Sequence, residues 1–329
     1  MSVTFRRPRR AALLLLGLTA VATARATSAP GDGEWPARPI KVLVPYVAGG
    51  PVDNVTRMVM EVAAKSLKQP IVIENKPGAN TQVATAQLAR SAADGYTFGV
   101  VPAAYTTNLV LSDRLPYKSS DLAAVSHMVD IPLFLYTSAT TPARNTKEFV
   151  AWAKQRSVSY ASTGAGSTGH LLGEMLAMSA GLKGAHVAYN GSAQLMPDLV
   201  AGRVDYIFDP ASGGMPQVKA GKLKVLAVSL PLRCLCAPDV PTMAESGYPD
   251  IVQSSWIGLM APAGTPKPIV DRMSAEIAKV IRSPEMTQRL QALGFGPAGS
   301  TPTGFQALMD RDRSAYAAIV RKANISLER

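Results

Sequence analysis

Residues 40–53 read IKVLVPYVAGGPVD, and their pattern indicates the fold class. Its first five residues form a short apolar run of strand length, and a loop rich in glycine and proline follows from Pro45 to Asp53. From Val55 to Leu67 the apolar residues recur at helical spacing, and residues 71–73 form another apolar run. A strand, a loop, a helix and a second strand in this order predict a right-handed βαβ unit with parallel strands.

The same alternation continues along the chain and predicts two α/β lobes. A helix at 82–92 and a strand at 96–101 extend the first lobe, and the pattern restarts between residues 146 and 228. The extended runs 123–137 and 254–260 are the expected crossovers, and the tail after residue 268 contains helices only. Because a helical tail needs a lobe to pack on, we expect a discontinuous first lobe at 27–127 and 250–329, with the second lobe at 128–249 inserted in it.

Composition excludes several classes of protein. Apolar residues make up 47% and charged residues 17% of the 329, which is not the composition of a disordered chain. Two cysteines, Cys234 and Cys236, and three histidines leave no disulfide scaffold and no usual four-ligand zinc site, so we expect no metal and no cofactor. We interpret the two cysteines as free or incidentally bonded thiols rather than a redox site.

The N-terminus has the pattern of a secretory signal peptide. Residues 1–26 contain five arginines and no acid, a leucine-rich apolar stretch too short to span a membrane, and Ala24-Arg25-Ala26 at the expected cleavage region. These five arginines supply nearly half of the net charge of +11. The other basic residues are scattered, so nucleic-acid binding is not expected. We predict export from the cytoplasm.

Three loops follow strands at the edge where a parallel α/β sheet forms its ligand crevice. In the first loop, Gly49 and Gly50 allow close backbone approach, while Asp53 either caps the helix or accepts a bond from a ligand amine. The second loop spans residues 162–170 and combines glycines with hydroxyls, an arrangement that binds a carboxylate without a charged side chain. The third begins at Tyr189. Asp209, after a later strand, is favoured as a helix cap over a ligand contact.

The second loop also approximates two catalytic patterns. It matches G-x-G-x-x-G, but the acid that dinucleotide binding needs about 20 residues later is missing. It nearly forms the G-x-S-x-G nucleophile elbow around Ser167, with Ala165 where glycine is needed. An exported serine hydrolase using Ser167 with His170 or His186 is therefore the alternative hypothesis.

A series of motifs, in this order and at this spacing, resembles the Bug family, the periplasmic solute receptors of tripartite tricarboxylate transporters. The motifs extend from Trp35 to the C-terminus and include Val44-Pro45-Tyr46-x-x-Gly49-Gly50-x-x-Asp53, Glu74-Asn75-Lys76-Pro77-Gly78, Asp94-Gly95-Tyr96-Thr97, Tyr160-Ala161-Ser162-x-Gly164-x-Gly166-Ser167-x-x-His170 and Asp239-Val240-Pro241-Thr242. The chain departs from the family at Val47, at Asn80-Thr81 and at Pro102–Tyr105, where the family has proline, a glycine pair and a glycine-containing segment.

The resemblance implies a type II periplasmic binding fold of the Venus-flytrap kind. It implies a monomer that captures a small organic acid, such as a di- or tricarboxylate, an acidic amino acid or an aromatic acid, and delivers it to a membrane permease; it does not imply an enzyme. The ligand-binding residues that we expect on these grounds are Tyr46, Gly49, Gly50, Asp53, Tyr105, Thr106, Ser162, Thr163, Gly164, Gly166, Ser167, His170, Tyr189 and Asp209.

Overall fold

The structure is a computed structural model, and it describes residues 35–112, 114–189 and 191–323. The predicted signal peptide at 1–26 lies outside these residues. The strands are β1 Ile40–Val44, β2 Ile71–Asn75, β3 Thr97–Pro102, β4 Leu122–Ile131, β5 Leu133–Ser138, β6 Ser157–Ser162, β7 Lys183–Ala188, β8 Tyr206–Pro210, β9 Leu223–Val228, β10 Ser255–Pro262 and β11 Gly296–Pro297. The helices are α1 Pro51–Leu67, α2 Gln82–Ala89, α3 Ala104–Leu111, α4 Thr146–Ala153, α5 Thr168–Ala180, α6 Ser192–Val200, α7 Ala211–Lys219, α8 Lys267–Ile281, α9 Pro284–Ala292 and α10 Pro302–Ala323.

The first lobe is built on a six-stranded sheet in the order β11-β4-β10-β3-β1-β2. The strands β2, β1 and β3 are parallel, with Val42 of β1 opposite Ile73 of β2 and Phe98 of β3. The remaining pairs are antiparallel, so the expected parallel sheet is mixed. Helices α1 and α8 bury their apolar faces on this sheet, and Val59 and Ile277 are fully buried in the same core.

The second lobe is built on a five-stranded sheet in the order β7-β6-β8-β5-β9. Here β6 is parallel to β7 and β8, whereas β5 is antiparallel to β8 and β9. Two glycines let helices lie close on this sheet. A Cβ at Gly173 of α5 would lie 2.4 Å from the Tyr160 ring, and a Cβ at Gly214 of α7 would lie 2.2 Å from the Tyr136 ring.

Two chain segments connect the lobes. The apolar run 123–137 is divided at Pro132 into β4 of the first sheet and β5 of the second, as expected where proline removes a backbone donor. The return segment precedes β10 and is joined to the first crossover through Ser229. The Ser229 N–H donates to Leu133 O at 2.9 Å, and the Gln253 N–H donates to Ser229 O at 2.9 Å. The two crossovers therefore lie side by side.

Three local features differ from or add to the sequence predictions. Helix α1 begins at Pro51 rather than Val55, because Gly50 is extended and proline suits the first helical position. Residues 104–111, for which the sequence predicted no helix, form α3. Cys234 and Cys236 are joined by a disulfide. Among the described residues, none of the helices is both long and apolar enough to cross a bilayer.

Candidate functional site: the cleft between the two sheets

A cavity of about 1070 Å³ lies where both sheets end. The first lobe lines it with Tyr46 and Gly50 from the loop after β1 and with Pro102 at the end of β3. The second lobe lines it with the residues that follow β6 and β8. Both contributions come from strand ends, as the α/β topology predicts.

In the part of the chain that the structure describes, five helices begin at this cavity. The lining residues from their first turns are Gly50, Pro51 and Val52 of α1, Ala104 of α3, Ser167, Thr168 and Gly169 of α5, Gly191, Ser192 and Ala193 of α6, and Pro210, Ser212 and Gly213 of α7. The first turn of a helix has backbone N–H groups without intrahelical partners and a partial positive charge. Lys222 and Asp209 are the charged residues in the described lining. These helix N-termini therefore add positive potential to the cleft, which favours an anion.

The first predicted loop reaches the cleft through Tyr46 and Gly50, whereas Asp53 does not line it. The Asp53 carboxylate is buried and accepts from Gly49 N at 2.9 Å, from Arg57 Nε at 2.8 Å and from Asn75 Nδ2 at 2.8 Å. Burial alone would raise the pKa of Asp53, but the hydrogen bonds from Arg57, Asn75 and Gly49 lower it to about 2. Asp53 thus holds the turn that contains Gly49, which has a φ of 83°.

The second predicted loop divides into a cleft-facing part and a supporting part. Thr163 and Ser167 line the cavity, as do Thr168 and Gly169 after them. Ser162, Gly164, Gly166 and His170 are not in the lining. The Gly166 N–H donates to His170 Nδ1 at 3.0 Å, so this amide is already used within the protein.

Two histidines support this loop from behind. The imidazole rings of His170 and His186 stack with 3.8 Å between their centroids. Burial lowers the pKa of His170 to about 3, with a smaller effect from His186, and burial lowers the pKa of His186 to about 4. Both rings are therefore neutral at pH 7. Neutral rings hold the loop without placing a positive charge beside the ligand cavity.

The geometry gives the serine hydrolase hypothesis no support. The Ser167 side chain caps α5 by accepting from His170 N at 3.3 Å. The described hydrogen bond between a serine and an imidazole joins Ser162 Oγ to His186 Nε2 at 2.7 Å. Ser162 is 1% exposed and lies outside the lining, so it has no access to a substrate in the cleft.

Asp209 is the acidic side chain at the cleft. It lies near the end of β8, and its Oδ1 accepts from Ser192 Oγ at 2.7 Å. Its Oδ2 is buried without a hydrogen-bond partner, and a Cβ added at Gly213 would lie 2.1 Å from it. Burial raises the pKa of Asp209 to about 7 against the opposing effect of the Ser192 bond. This carboxyl group therefore carries less negative charge near neutral pH than an ordinary aspartate does.

Gly49, Tyr105, Thr106 and Tyr189 also lie outside the lining. Tyr105 and Thr106 are buried in α3, where the Tyr105 ring stacks on Tyr117 with 6.0 Å between centroids. The Tyr189 hydroxyl donates to Asp198 Oδ2 at 2.7 Å. Since the segment after β3 is helical, Ala104 faces the cavity and Tyr105, the next residue, points into the core.

The structure adds lining residues that sequence reasoning missed. Asn80 lines the cavity from the first lobe, and its side chain donates to Asn108 Oδ1 at 2.9 Å. The apolar part of the wall consists of Ile131, Leu133, Met196, Pro197 and Phe208. The starts of α6 and α7 were detectable in the sequence, because each follows a strand; the apolar wall was not, because it comes from separate elements.

The sequence is similar to known proteins over most of its length. Residues 55–325 match the model of the tripartite tricarboxylate transporter family receptor. The chain is 32% identical over 313 residues to protein BugT of Bordetella pertussis, covering 94% of this chain and 96% of BugT.

Solved structures of similar proteins have the same architecture. The periplasmic binding protein BugD is 32% identical, with a TM-score of 0.78 over 89% of this chain and 99% of BugD. MatC of Rhodopseudomonas palustris, solved with bound malate, is 29% identical, with a TM-score of 0.75 over 87% of this chain and 99% of MatC. An R. palustris protein solved with adipate is 29% identical, with a TM-score of 0.83 over 89% of this chain and 99% of that protein.

Proposed function

The chain belongs to the tripartite tricarboxylate transporter receptor family, and from this premise we propose that it is a periplasmic receptor that captures a small organic acid in the cleft between its lobes. The proposal includes export by residues 1–26, action as a monomer and delivery of the acid to the permease of such a transporter. The lobes are proposed as 27–127 with 250–329 and as 128–249.

The observation that carries this proposal is the convergence of five helix N-termini on one cavity. An acid of this kind is held by backbone N–H groups and hydroxyls, which need no counter-charge and leave no buried cation when the cleft is empty. MatC with malate and the R. palustris protein with adipate support the proposal, because their bound molecules are dicarboxylates.

We propose two roles for the candidate residues. Tyr46, Gly50, Thr163, Ser167 and Asp209 line the cavity and contact the ligand or its water shell. Gly49, Asp53, Ser162, Gly164, Gly166 and His170 hold the two loops in place, and Tyr105, Thr106 and Tyr189 shape the cleft through their neighbours.

A thermal-shift panel tests the function. The protein, secreted with its own leader, is heated with malate, adipate, citrate, glutamate and benzoate, and with matched neutral amides as controls. A carboxylate at 100 times its Kd stabilises the folded protein by about 2.7 kcal/mol, which raises Tm by several degrees. We expect at least one acid, and none of the amides, to do so. A panel in which no carboxylate shifts Tm, together with no acid retained by the protein in native mass spectrometry, would contradict the proposal.

A further inference from the structure

The cavity continues beyond the cleft, between the helices α6 and α7. Both helices begin at the cleft and contact each other along their sides. The lining includes Val200, the last residue of α6, Gln217 near the end of α7, and Lys222 just before β9. Helix α7 has nine residues and is about 14 Å long, so this extension is much longer than a molecule such as malate. We call it the α6–α7 groove.

One wall of the α6–α7 groove is an apolar face of α6. Its lining residues follow one another at intervals of three, one and three positions, which places them on the same side of a helix. They are Ala193, Met196, Pro197 and Val200. Met196 is buried, Val200 is half-buried and Pro197 is exposed, so this apolar face borders open space. An apolar chain that covers it removes apolar surface from water, which is favourable.

The other wall is α7, and it begins with a glycine where the cleft meets the groove. A Cβ at Gly213 would lie 2.1 Å from Asp209 Oδ2 and 3.3 Å from Met196 Cε. The φ of Gly213 is not positive, so space rather than backbone conformation requires glycine here. A side chain at this position would occupy the junction of the cleft and the α6–α7 groove.

The far end of the α6–α7 groove is basic. Lys222 is exposed and lines this end. Within the described ranges, its ammonium group forms no ion pair with a carboxylate. Asp209, the acidic residue of the lining, belongs to the opposite end, where the groove joins the cleft. An apolar wall that ends at a cation fits a chain that carries a second anionic group at its far end.

We propose that the α6–α7 groove is a subsite for the chain of the ligand, which makes the receptor selective for long α,ω-dicarboxylates, with Lys222 binding the distal carboxylate. The inference rests on the proposed function and deepens it, since the proximal carboxylate binds at the helix N-termini of the cleft. A short diacid does not reach Lys222, and a long monocarboxylate places only a methyl group beside it.

Titration calorimetry with succinate, sebacate and decanoate tests this in the wild type. Sebacate and decanoate have the same number of carbons, whereas succinate lacks the long chain. Each methylene that the groove buries should raise affinity about fourfold, so sebacate should bind at least about a hundredfold more tightly than succinate.

A first pair of variants tests the apolar wall. Val200→Phe fills the α6–α7 groove and should lower the ratio of sebacate to succinate affinity by about tenfold or more, because part of the chain is then excluded. Val218→Phe is the matched control, because Val218 is also half-buried, lies in α7 and is not in the lining. It should leave this ratio unchanged.

A second pair of variants tests the basic end. Lys222→Gln should weaken sebacate binding about two- to fivefold, the range of an exposed ion pair, and should leave decanoate binding unchanged. Lys219→Gln is its control, since Lys219 is exposed at the end of α7 and lies outside the lining. Both lysines are exposed, so these changes do not disturb the core.

Three results would overturn the inference and leave the proposed function intact. They are a sebacate affinity in the wild type no higher than that of succinate, equal affinity ratios in Val200→Phe and Val218→Phe, and an unchanged sebacate affinity in Lys222→Gln. If no acid of any length binds, the proposed function fails, and this inference fails with it.

Discussion

The imidazole rings of His170 and His186 stack 3.8 Å apart behind the loop that lines the cleft, although the two residues come from different elements. His170 accepts the Gly166 N–H, and His186 pairs with the Ser162 hydroxyl. Two stacked imidazolium ions would repel each other in this buried place, so the arrangement requires neutral rings.

The histidine pair predicts a loss of stability in mild acid. In the unfolded chain histidine binds a proton near pH 6.5, whereas burial lowers the pKa of His170 and His186 to about 3 and about 4. The unfolded state therefore binds more protons, and the free energy of unfolding falls as pH drops from about 6.5 to about 4. In urea titrations at pH 7.5 and 4.5, His186→Gln should show a smaller fall than the wild type. An equal fall in the free energy of unfolding of the variant and the wild type would contradict this role of the histidines.

The raised pKa of Asp209 predicts the opposite dependence of stability on pH. An unfolded aspartate loses its proton near pH 4, whereas burial raises the pKa of Asp209 to about 7. The folded state then binds more protons, so this contribution to stability is lost as pH rises from about 4 to about 7. Asp209→Asn should gain stability relative to the wild type between pH 4 and pH 8, measured by urea unfolding. A constant difference across this range would show that Asp209 ionises normally.

The lowered pKa of Asp53 predicts a loss of stability that occurs only in stronger acid. Burial acts to raise the pKa of Asp53, but hydrogen bonds from Arg57, Asn75 and Gly49 outweigh it and lower the pKa to about 2. The carboxylate thus contributes about 2 kcal/mol above pH 4, and this is lost as pH falls towards 2. Asp53→Asn should lower Tm at pH 7 and match the wild type near pH 2. A difference in Tm between the two proteins that persists at pH 2 would mean that the charge of Asp53 is not the cause.

The close packing of α5 on β8 predicts that Gly169 tolerates no side chain. A Cβ there would lie 2.6 Å from the Phe208 carbonyl oxygen, which is backbone and cannot rotate away. Gly169→Ala should lower the free energy of unfolding by about 1–3 kcal/mol and displace the first turn of α5. Gly184→Ala is the control, because its Cβ would meet atoms no closer than 3.5 Å. Equal stability of the two variants would contradict the packing argument.

A charge at Ser167 tests whether the α5 N-terminus attracts the ligand. Ser167 caps this helix, and both asparagine and aspartate are good caps, so Ser167→Asn and Ser167→Asp should stay folded within about 1 kcal/mol of the wild type. Only aspartate adds a negative charge at the cleft. The Tm shift given by an active carboxylate should survive in Ser167→Asn and vanish in Ser167→Asp. If both variants keep the Tm shift, the ligand carboxylate does not bind at the N-terminus of α5.

Local signals in the sequence predict the two lobes and the strand ends at which the cavity lies. Apolar runs of strand length alternate with helical patterns, and Pro132 interrupts one long run where the chain changes sheets. These are local signals, since spacing along the chain sets the type of element and therefore where each strand ends.

Which residues at those strand ends face the cleft depends on tertiary contacts, and the sequence did not predict them. Gly166 belongs to the predicted loop, yet its N–H donates to the His170 ring. The Asp53 carboxylate accepts a hydrogen bond from Asn75, which lies 22 residues away in the sequence. The start of α3 places Ala104 at the cavity and buries Tyr105. The rotation of a helix about its axis and the partners of a loop amide depend on contacts between distant segments, and these form only when the sheets and helices pack together.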